Sequence, residues 1–346
     1  MSERDPRDVP ASTATGDRAA PLVAIVGPTC TGKTALAVAL AGKLRRELIN
    51  ADSRQLRRGL RVGTCAPTAE ELRGVPCHLL DEADPGETYT VAHWLARAAP
   101  LVDRLHAEGV LPIVVGGTGL YVTALVDGYD LGSAPPDPSL RSERTERAAT
   151  AAGLEELAAE LSRRDPDAVA TVDTRNPRRL IRALEILDAN AGPLRAARGS
   201  TPRRAAWIGL DAPGELHAEW IQRRCAAMFA GGAIVDEVSA ALARGCGADA
   251  LGDCGIGYAE ALAVHEGRIT VEEAVTATVR RTLRYARSQR SYFRRDARVQ
   301  WLSAAAAPDA LLRDALALIA GVTAARQDCD RRAAALPSDP APAANL

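Results

Sequence analysis

The chain has 346 residues, of which 47% are hydrophobic and 25% charged, and its net charge at pH 7 is −1. This composition indicates a globular protein and excludes a uniformly basic surface, so binding of a nucleic acid would need a local patch. No apolar run reaches the length of a membrane span, and the polar start lacks a signal-peptide core. The seven scattered cysteines fit reduced thiols rather than disulfides or a zinc site, so we expect a cytoplasmic protein with no membrane segment.

A phosphate-binding loop is the first strong signal along the chain. After residues 1–20, which we expect to be disordered, residues 23–26 form a short apolar run typical of a strand. The next eight residues match G-x-x-x-x-G-K-[ST], and a helical pattern follows at residues 35–41. A strand, a glycine loop and a helix in this order present backbone N–H groups and a helix N-terminus to a di- or triphosphate. The loop consists of Gly27, Pro28, Thr29, Cys30, Thr31, Gly32, Lys33 and Thr34.

Two further strands are predicted to end beside this loop. Residues 47–50 form a short strand that delivers Asp52 at its end, and residues 111–115 form a buried strand followed by the glycine-rich residues 116–121. In open α/β sheets, ligands lie beyond the carboxyl ends of the strands. The sequence therefore predicts that three strand ends meet in one cleft and that Asp52 lies near the phosphate loop.

The rest of the chain is predicted to contain a helical insertion and a second part of the core. Residues 59–81 read as a loop, and residues 325–346 as a disordered tail. The predicted organisation is a disordered segment (1–20), a first part of the core (21–130), a helical insertion (131–200), a second part of the core with a basic helix (201–324) and the tail (325–346).

Arginine is concentrated on two predicted helices. The last helix of the insertion places apolar residues on one side and Arg178, Arg179 and Arg182 on another, and a second basic helix covers residues 279–290. Such arginines either contact an anionic partner or form a solvated helix face, and the sequence alone leaves both interpretations open.

Taken together, these segments resemble the tRNA dimethylallyltransferase (isopentenyltransferase) family over residues 22–302. The Asp52–Gln55 segment at its distance behind the phosphate loop is the most specific part of the resemblance. The matching motifs are Gly27-Pro28-Thr29 with Gly32-Lys33-Thr34, Asp52-Ser53-Arg54-Gln55, Gly63-Thr64 with Pro67, Gly116-Gly117-Thr118-Gly119-Leu120-Tyr121, Asn176-Pro177-Arg178-Arg179, Ile256-Gly257-Tyr258, and Gln289 with Phe293-Arg294.

The resemblance implies an α/β fold with a P-loop NTPase-like parallel sheet, flanking helices and a helical insertion. It also implies Mg²⁺ held at Thr34, dimethylallyl diphosphate as donor, and N6 of adenosine 37 as acceptor in tRNAs that read codons starting with U. Thr29, Lys33 and Asp52 would be catalytic, and Arg224 would lie near the diphosphate. The implied protein is a monomer that binds the tRNA anticodon arm through the insertion.

The resemblance also implies a set of tRNA contacts. They are Asp52, Ser53, Arg54, Gln55, Thr118, Arg178, Arg179, Arg182, Gly257, Tyr258, Arg287, Gln289 and Arg294. Tyr121 and Tyr258 could equally be core residues.

Departures from the family pattern keep other acceptors open. The chain has Arg57, Ala66, Cys77, Ser288 and Tyr292 where the family usually has Tyr, Lys, His, Arg and Trp. Most of these positions should face the acceptor, so prenylation of a free adenine nucleotide is an alternative. A small-molecule kinase and a non-catalytic RNA-binding paralogue are further alternatives, and the retained Lys33, Thr34 and Asp52 argue against the latter.

Overall fold

The computed structural model describes residues 21–129, 137–170, 172–189 and 202–334, with side chains as far as Thr323. The predictions made for residues 1–20 and 335–346 and for both ends of the insertion, 130–136 and 190–201, lie outside the described residues.

The centre of the fold is a six-stranded parallel sheet. Its strands are β1 (Leu22–Val26), β2 (Leu48–Asn50), β3 (Cys77–His78), β4 (Ile113–Val115), β5 (Ala205–Asp211) and β6 (Gln300–Ser303), in the order β3-β2-β4-β1-β5-β6. All pairs are parallel, with Val23 opposite Ile113 on one side and Ala206 on the other. The central strands β1, β2 and β4 read as continuous apolar runs because both faces of a parallel sheet are covered by helices.

Thirteen α-helices are described in the chain. They are α1 (Lys33–Leu44), α2 (Ala69–Leu72), α3 (Val91–Ala107), α4 (Gly119–Val126), α5 (Pro138–Arg147), α6 (Ala151–Arg164), α7 (Pro177–Ala189), α8 (Gly214–Phe229), α9 (Ala233–Ala243), α10 (Ala248–Cys254), α11 (Tyr258–His265), α12 (Val271–Phe293) and α13 (Pro308–Ala334). The predicted α/β fold with a P-loop-type parallel sheet and flanking helices is confirmed.

The main core packs α1 and α13 against one face of the sheet. Leu36 and Leu40 of α1 and Ile319 of α13 bury their side chains against Ile25 and Ile208. These leucines lie on the inward stripe of α1 at helical spacing. Burying each such side chain contributes about 1.5–3 kcal/mol to folding. The phosphate loop therefore starts from a rigid strand and ends in a well-anchored helix.

The chain divides into two compact units. Among the described residues, one unit comprises those in 21–89, 97–122 and 203–334 and contains the sheet; the other comprises those in 90–96 and 123–202. In the second unit, Leu157 and Leu161 of α6 pack against Leu180 and Leu184 of α7. The described part of the predicted insertion thus consists mainly of helices joined by short turns.

Two parts of the prediction need correction. Residues 59–81 are not only a loop, because they contain α2 and the edge strand β3, which pairs Cys77 with Leu48. Two residues of pairing are too short for an alternation pattern to be visible in the sequence. The predicted tail is helical as far as Ala334, since α13 continues beyond the side chains that dock on the sheet.

One helical stretch among the described residues, Gly214–Ala243, has the length and composition of a membrane span. Its backbone is interrupted at Gly231, where φ is 62°. It is therefore two helices, α8 and α9, each shorter than the roughly 20 residues that a span needs. Ile221, Phe229 and Val238 are buried within the protein.

Candidate functional site

Polar side chains line a cavity of about 290 Å³ at the carboxyl ends of β1, β2 and β4. The phosphate loop, Asp52 and Gly116 contribute from the three strand ends, which confirms the predicted convergence. α8 and α12 complete the wall with Arg224, Cys225, Met228, Thr282 and Tyr285.

The backbone of the phosphate loop depends on two glycines. Gly27 has a φ of 129°, and a Cβ there would lie 2.3 Å from the carbonyl oxygen of Leu210. Gly32 is the left-handed N-cap of α1, with a φ of 76°. Glycine is needed at both positions because other residues rarely adopt this backbone. The loop thus delivers the N-terminus of α1 to the cavity, where its amides favour an anion.

Lys33 is the cation of this loop. Its Nζ donates a hydrogen bond to the carbonyl oxygen of Pro28 at 2.7 Å, which uses one of its three donors. Burial lowers the pKa of the ammonium from 10.5 to about 8, with Asp52 opposing the shift and Arg224 adding to it. A phosphate would replace the lost solvation and hold the proton on Lys33.

Arg224 places a second cation beside the loop. Its Nη1 donates to Thr29 Oγ1 at 3.0 Å and to Cys30 Sγ at 3.2 Å, and its Nε donates to Cys65 Sγ at 2.8 Å. Because Thr29 Oγ1 accepts from Arg224, its own hydrogen can point toward a ligand. Lys33, Arg224 and Thr29 together form a cradle suited to a diphosphate.

Asp52 is the carboxylate of the cavity. Its Oδ1 accepts from the backbone N–H of Arg54 at 3.0 Å, and its own N–H donates to Asn50 Oδ1 at 3.1 Å. These contacts fix the carboxylate and leave Oδ2 directed toward Gly117, whose ideal Cβ position lies 3.6 Å from it. Asp52 is therefore a fixed hydrogen-bond acceptor at the cavity wall.

The residues after Asp52 are held by neighbouring loops. Thr118 Oγ1 accepts from the N–H of Ser53 at 2.9 Å, and Gln55 Nε2 donates to the carbonyl oxygen of Cys65 at 3.0 Å. Arg54 is exposed and donates to the carbonyl oxygen of Asp253. Of these four predicted tRNA contacts, only Arg54 is exposed, and the other three are partly buried.

Gln289 differs from its predicted role. It is 5% exposed, accepts from the N–H of Thr29 at 2.8 Å and donates to the carbonyl oxygen of Gly117 at 2.9 Å. It ties the phosphate loop to the loop after β4, so it positions the site rather than contacting RNA. A side chain that satisfies two buried backbone groups cannot also be presented at the surface.

Gly257 and Tyr258 are also interior residues. Gly257 is the left-handed N-cap of α11, and Tyr258 is 0% exposed. The Tyr258 hydroxyl donates to Glu237 Oε2 at 2.7 Å, and Glu237 accepts from the N–H groups of Val62 and Gly63. Both residues shape the segment next to the cavity, and direct contact with RNA does not fit their burial.

Tyr285 was missed by the sequence analysis. It lines the cavity from α12, and burial together with the charge of Asp52 raises the pKa of its hydroxyl. Its spacing of four residues from Gln289 places both on one side of the helix. That spacing was the available signal, but the surrounding arginines suggested a basic surface instead.

A partly buried chain of hydrogen bonds supports the phosphate loop from behind. His217 Nε2 donates to the carbonyl oxygen of Thr29 at 2.8 Å, and its Nδ1 accepts from Arg290 Nη2 at 2.9 Å. Arg290 in turn donates to both oxygens of Asp211, at the end of β5. Burial lowers the pKa of His217, which favours the neutral ring that this arrangement needs.

The predicted RNA-contacting arginines differ in their surroundings. In the sheet-containing unit, Arg287 and Arg294 are exposed, and Arg294 pairs with Asp211 Oδ2 at 3.0 Å. In the helical unit, Arg178 and Arg179 are exposed, whereas Arg182 pairs with Glu185 Oε2 at 3.1 Å. Arg178, Arg179 and Arg287 are the most available of the five for an anionic partner.

The cavity also fits a magnesium ion brought by a phosphate. Thr34 lines it, and no group of three or more His, Cys, Asp or Glu among the described residues could hold a metal. Mg²⁺ commonly keeps several waters and uses phosphate oxygens with few protein ligands, so a single hydroxyl beside a diphosphate suffices.

The chain matches known proteins over most of its length. Residues 55–296 match the family model described as IPP transferase, and residues 20–86 match that of isopentenyl transferase. A tRNA dimethylallyltransferase of Corynebacterium glutamicum is 40% identical over 86% of this chain and 98% of its own. One of Thermobifida fusca is 42% identical over 81% of this chain and 89% of its own. The crystal structure of the tRNA isopentenylpyrophosphate transferase of Bacillus halodurans superposes with a TM-score of 0.67 at 36% identity, covering 90% of this chain and 99% of that one.

Proposed function

The chain belongs to the IPP transferase family, and from that membership we propose that it transfers a dimethylallyl group from dimethylallyl diphosphate to tRNA. It is an enzyme, a tRNA-modifying prenyltransferase. The acceptor atom is N6 of adenosine 37, in tRNAs that read codons starting with U, and the products are N6-(dimethylallyl)adenosine and diphosphate. The enzyme acts in the cytoplasm as a monomer.

The single observation that carries the donor assignment is the cationic cradle opposite a carboxylate in one cavity. Lys33, Arg224 and the phosphate-loop amides surround the space for a diphosphate, and Asp52 lines the same cavity. Breaking the allylic C–O bond builds negative charge on the leaving diphosphate. Fixed cations and N–H groups stabilise that charge without rearrangement during the reaction.

Mg²⁺ is the proposed cofactor, held by Thr34 and by oxygens of the donor. When bound, it supplies charge neutralisation at the diphosphate. The protein's own part is to fix the phosphate groups through Lys33, Arg224 and the hydroxyl of Thr29. These three groups orient the allylic carbon of the donor toward Asp52.

Asp52 is the proposed base for the acceptor. Its carboxylate accepts a hydrogen bond from the exocyclic amine, orients N6 toward the allylic carbon and takes the proton as the N–C bond forms. Its anchoring to Arg54 N–H keeps one oxygen in place while the other receives the amine. The base of adenosine 37 leaves the anticodon-loop stack to reach it.

The exposed arginines support an RNA acceptor. Arg178 and Arg179 on α7 and Arg287 on α12 have exposed side chains, which suits phosphate contacts with the anticodon arm. The rival acceptor is a free adenine nucleotide, which would not need them.

The deciding experiment gives one preparation of the enzyme and dimethylallyl diphosphate to unmodified tRNA and, separately, to AMP. Mass spectrometry of nuclease fragments should find the prenyl group on adenosine 37 of the tRNA, and mass spectrometry of the nucleotide should find very little on AMP. Efficient turnover of AMP with none on tRNA would overturn the proposal in favour of the free-nucleotide acceptor.

A further inference from the structure

Four of the chain's seven cysteines, Cys30, Cys65, Cys77 and Cys225, line the donor cavity. Two of them, Cys30 and Cys65, are 35 positions apart in sequence (65 − 30) and meet at one guanidinium. Arg224 Nη1 donates to Cys30 Sγ at 3.2 Å, and the adjacent Nε donates to Cys65 Sγ at 2.8 Å. The reaction assigned to the cavity uses neither thiol.

From this arrangement we propose that Cys30 and Cys65 form an oxidative modification site, at which a peroxide links the two sulfurs and switches the donor site off. The switching rests on the function proposed above, because its effect is the loss of Arg224 from the diphosphate cradle. The disulfide itself depends only on the two cysteines. In a reducing compartment such bonds are typically transient and regulatory.

Accessibility and backbone geometry favour this pair. Cys30 is partly exposed and lines the donor cavity and also a second cavity beside Trp220 and Arg223, so a small oxidant has two cavities that lead to this residue. Both cysteines lie in loops, with left-handed backbone at Cys30 (φ 63°) and at Cys65 (φ 49°). Loops can shift to the sulfur separation of about 2.05 Å that a disulfide requires more readily than helices can.

Burial raises the pKa of the other thiols of the cavity, so contact geometry rather than acidity identifies the partner of Cys30. Burial raises the pKa of Cys77 to about 12 and that of Cys225 to about 11. Burial also raises the pKa of Cys65, but Arg224 opposes that shift through its charge and its hydrogen bond. Cys65 is assigned as the second thiol of the reaction because it shares the Arg224 guanidinium with Cys30, and it resolves an oxidised Cys30.

The chemistry balances with one peroxide. The Cys30 sulfur attacks a peroxide oxygen, the O–O bond breaks, and Cys30 becomes a sulfenic acid as the first water leaves. The Cys65 sulfur attacks the sulfenic sulfur, the S–O bond breaks, and a second water leaves. Two thiols are oxidised to one disulfide and one hydrogen peroxide is reduced to two waters. Because Arg224 bridges the two sulfurs, the new bond displaces its guanidinium from Thr29 and draws the Cys65 segment onto the phosphate loop.

The test treats the full-length enzyme with hydrogen peroxide and then maps peptides without reduction. We expect a Cys30–Cys65 linked peptide, a drop of about 10²-fold or more in prenyl transfer, a matching loss of dimethylallyl diphosphate binding, and recovery of both with dithiothreitol. Each variant is compared with its own reduced sample. Cys65→Ser should show no reversible loss, whereas Cys246→Ser, outside the cavity, should behave as the wild type.

The outcomes separate the two proposals. If the peptide map shows no Cys30–Cys65 link, or links Cys30 to Cys225 instead, the modification site is wrong whatever the activity. A linked protein that keeps its donor affinity overturns the switch. If the reduced enzyme transfers no prenyl group to tRNA, the proposed function fails while the peptide map still decides the disulfide.

Discussion

At the scale of single residues, the donor site depends on two buried or half-buried cations that need a phosphate. Lys33 has its pKa lowered to about 8 because burial removes solvent from its ammonium. Arg224 is committed to a hydroxyl and two thiols, which are weak partners for a guanidinium. A diphosphate provides charged hydrogen-bond acceptors for Lys33 and Arg224, so donor binding should depend on both side chains.

Lys33→Ala should remove most of the transfer activity while leaving the fold in place. The ammonium acts on charge that develops on the leaving group, and loss of one such donor costs about 10²–10³ in rate. Turnover with dimethylallyl diphosphate, together with circular dichroism of the purified variant, checks this. Near wild-type turnover would contradict the donor assignment.

The pH dependence of donor capture should report the lowered pKa of Lys33. The ammonium is charged below about pH 8 and loses its proton as the pH rises through that value. We therefore expect kcat/KM for the donor to fall above about pH 8, whereas kcat falls only at higher pH because bound diphosphate holds the proton. The measurement is a pH–rate profile at low and at saturating donor, and a flat kcat/KM through this range would count against the role of Lys33.

Asp52→Asn should slow transfer by about 10²–10⁴-fold, because it keeps the shape of the side chain but removes the base. Donor binding should be largely kept. Calorimetric titration of the donor and single-turnover transfer to tRNA separate the two effects. A variant that binds donor weakly yet reacts normally at saturation would assign Asp52 to donor binding instead.

At the scale of elements, α12 holds the site together rather than only presenting a basic face. Gln289 joins the loops after β1 and β4, and Arg290 anchors His217 behind Thr29. Both residues reach the core from a helix whose other positions, such as Arg287 and Ser288, are exposed. The geometry of the phosphate loop therefore depends on a helix more than two hundred positions away, with Thr29 and Gln289 separated by 260.

Gln289→Ala should destabilise the protein by about 1–3 kcal/mol, because the Thr29 N–H and the Gly117 carbonyl lose their buried partner. Donor affinity should fall with it, since the loop loses its support. Urea unfolding and donor titration measure the two quantities. Ser288→Ala, at the exposed neighbouring position, is the matched control and should change neither; an equally silent Gln289→Ala would remove the positioning role.

At the scale of the whole molecule, the chain combines a sheet-containing unit and a helical unit. All residues that line the donor cavity belong to the first unit. The second unit carries Arg178 and Arg182 on a helix that packs its apolar stripe against α6. With a net charge of −1 for the whole chain, affinity for RNA has to come from such local groups.

Replacing Arg178 and Arg179 together by Ala should weaken tRNA binding and reduce its salt slope by about two units, since each phosphate contact releases a counterion. Both side chains are exposed on α7 and lie outside its buried residues, so the fold should survive. Arg163→Ala, an exposed arginine on α6, is the control. Binding isotherms for tRNA at several salt concentrations measure the salt slope of each variant. An unchanged slope in the double variant would exclude the two arginines from the RNA interface.

The sequence by itself determined the phosphate loop, the parallel sheet and the place of Asp52. These features depend on local patterns. The spacing of the glycines predicts a phosphate-binding loop, and the apolar runs predict strands that are buried on both faces of a parallel sheet. The carboxyl ends of such strands lie at one edge of the sheet, which is where Asp52 follows its strand. The sequence also identified the family, because its motifs stand in a fixed order along the chain.

Only the tertiary structure decided what the side chains do at that edge. Gln289 and Tyr258 were predicted to contact tRNA, yet both are buried: Gln289 holds two backbone groups in place, and Tyr258 donates to the Glu237 carboxylate. The partners of Arg224, Cys30 and Cys65, are remote from it in sequence. A hydrogen bond between residues far apart in the sequence produces no repeating sequence pattern. The tertiary structure is therefore needed to distinguish a residue that positions the site from one that contacts the substrate.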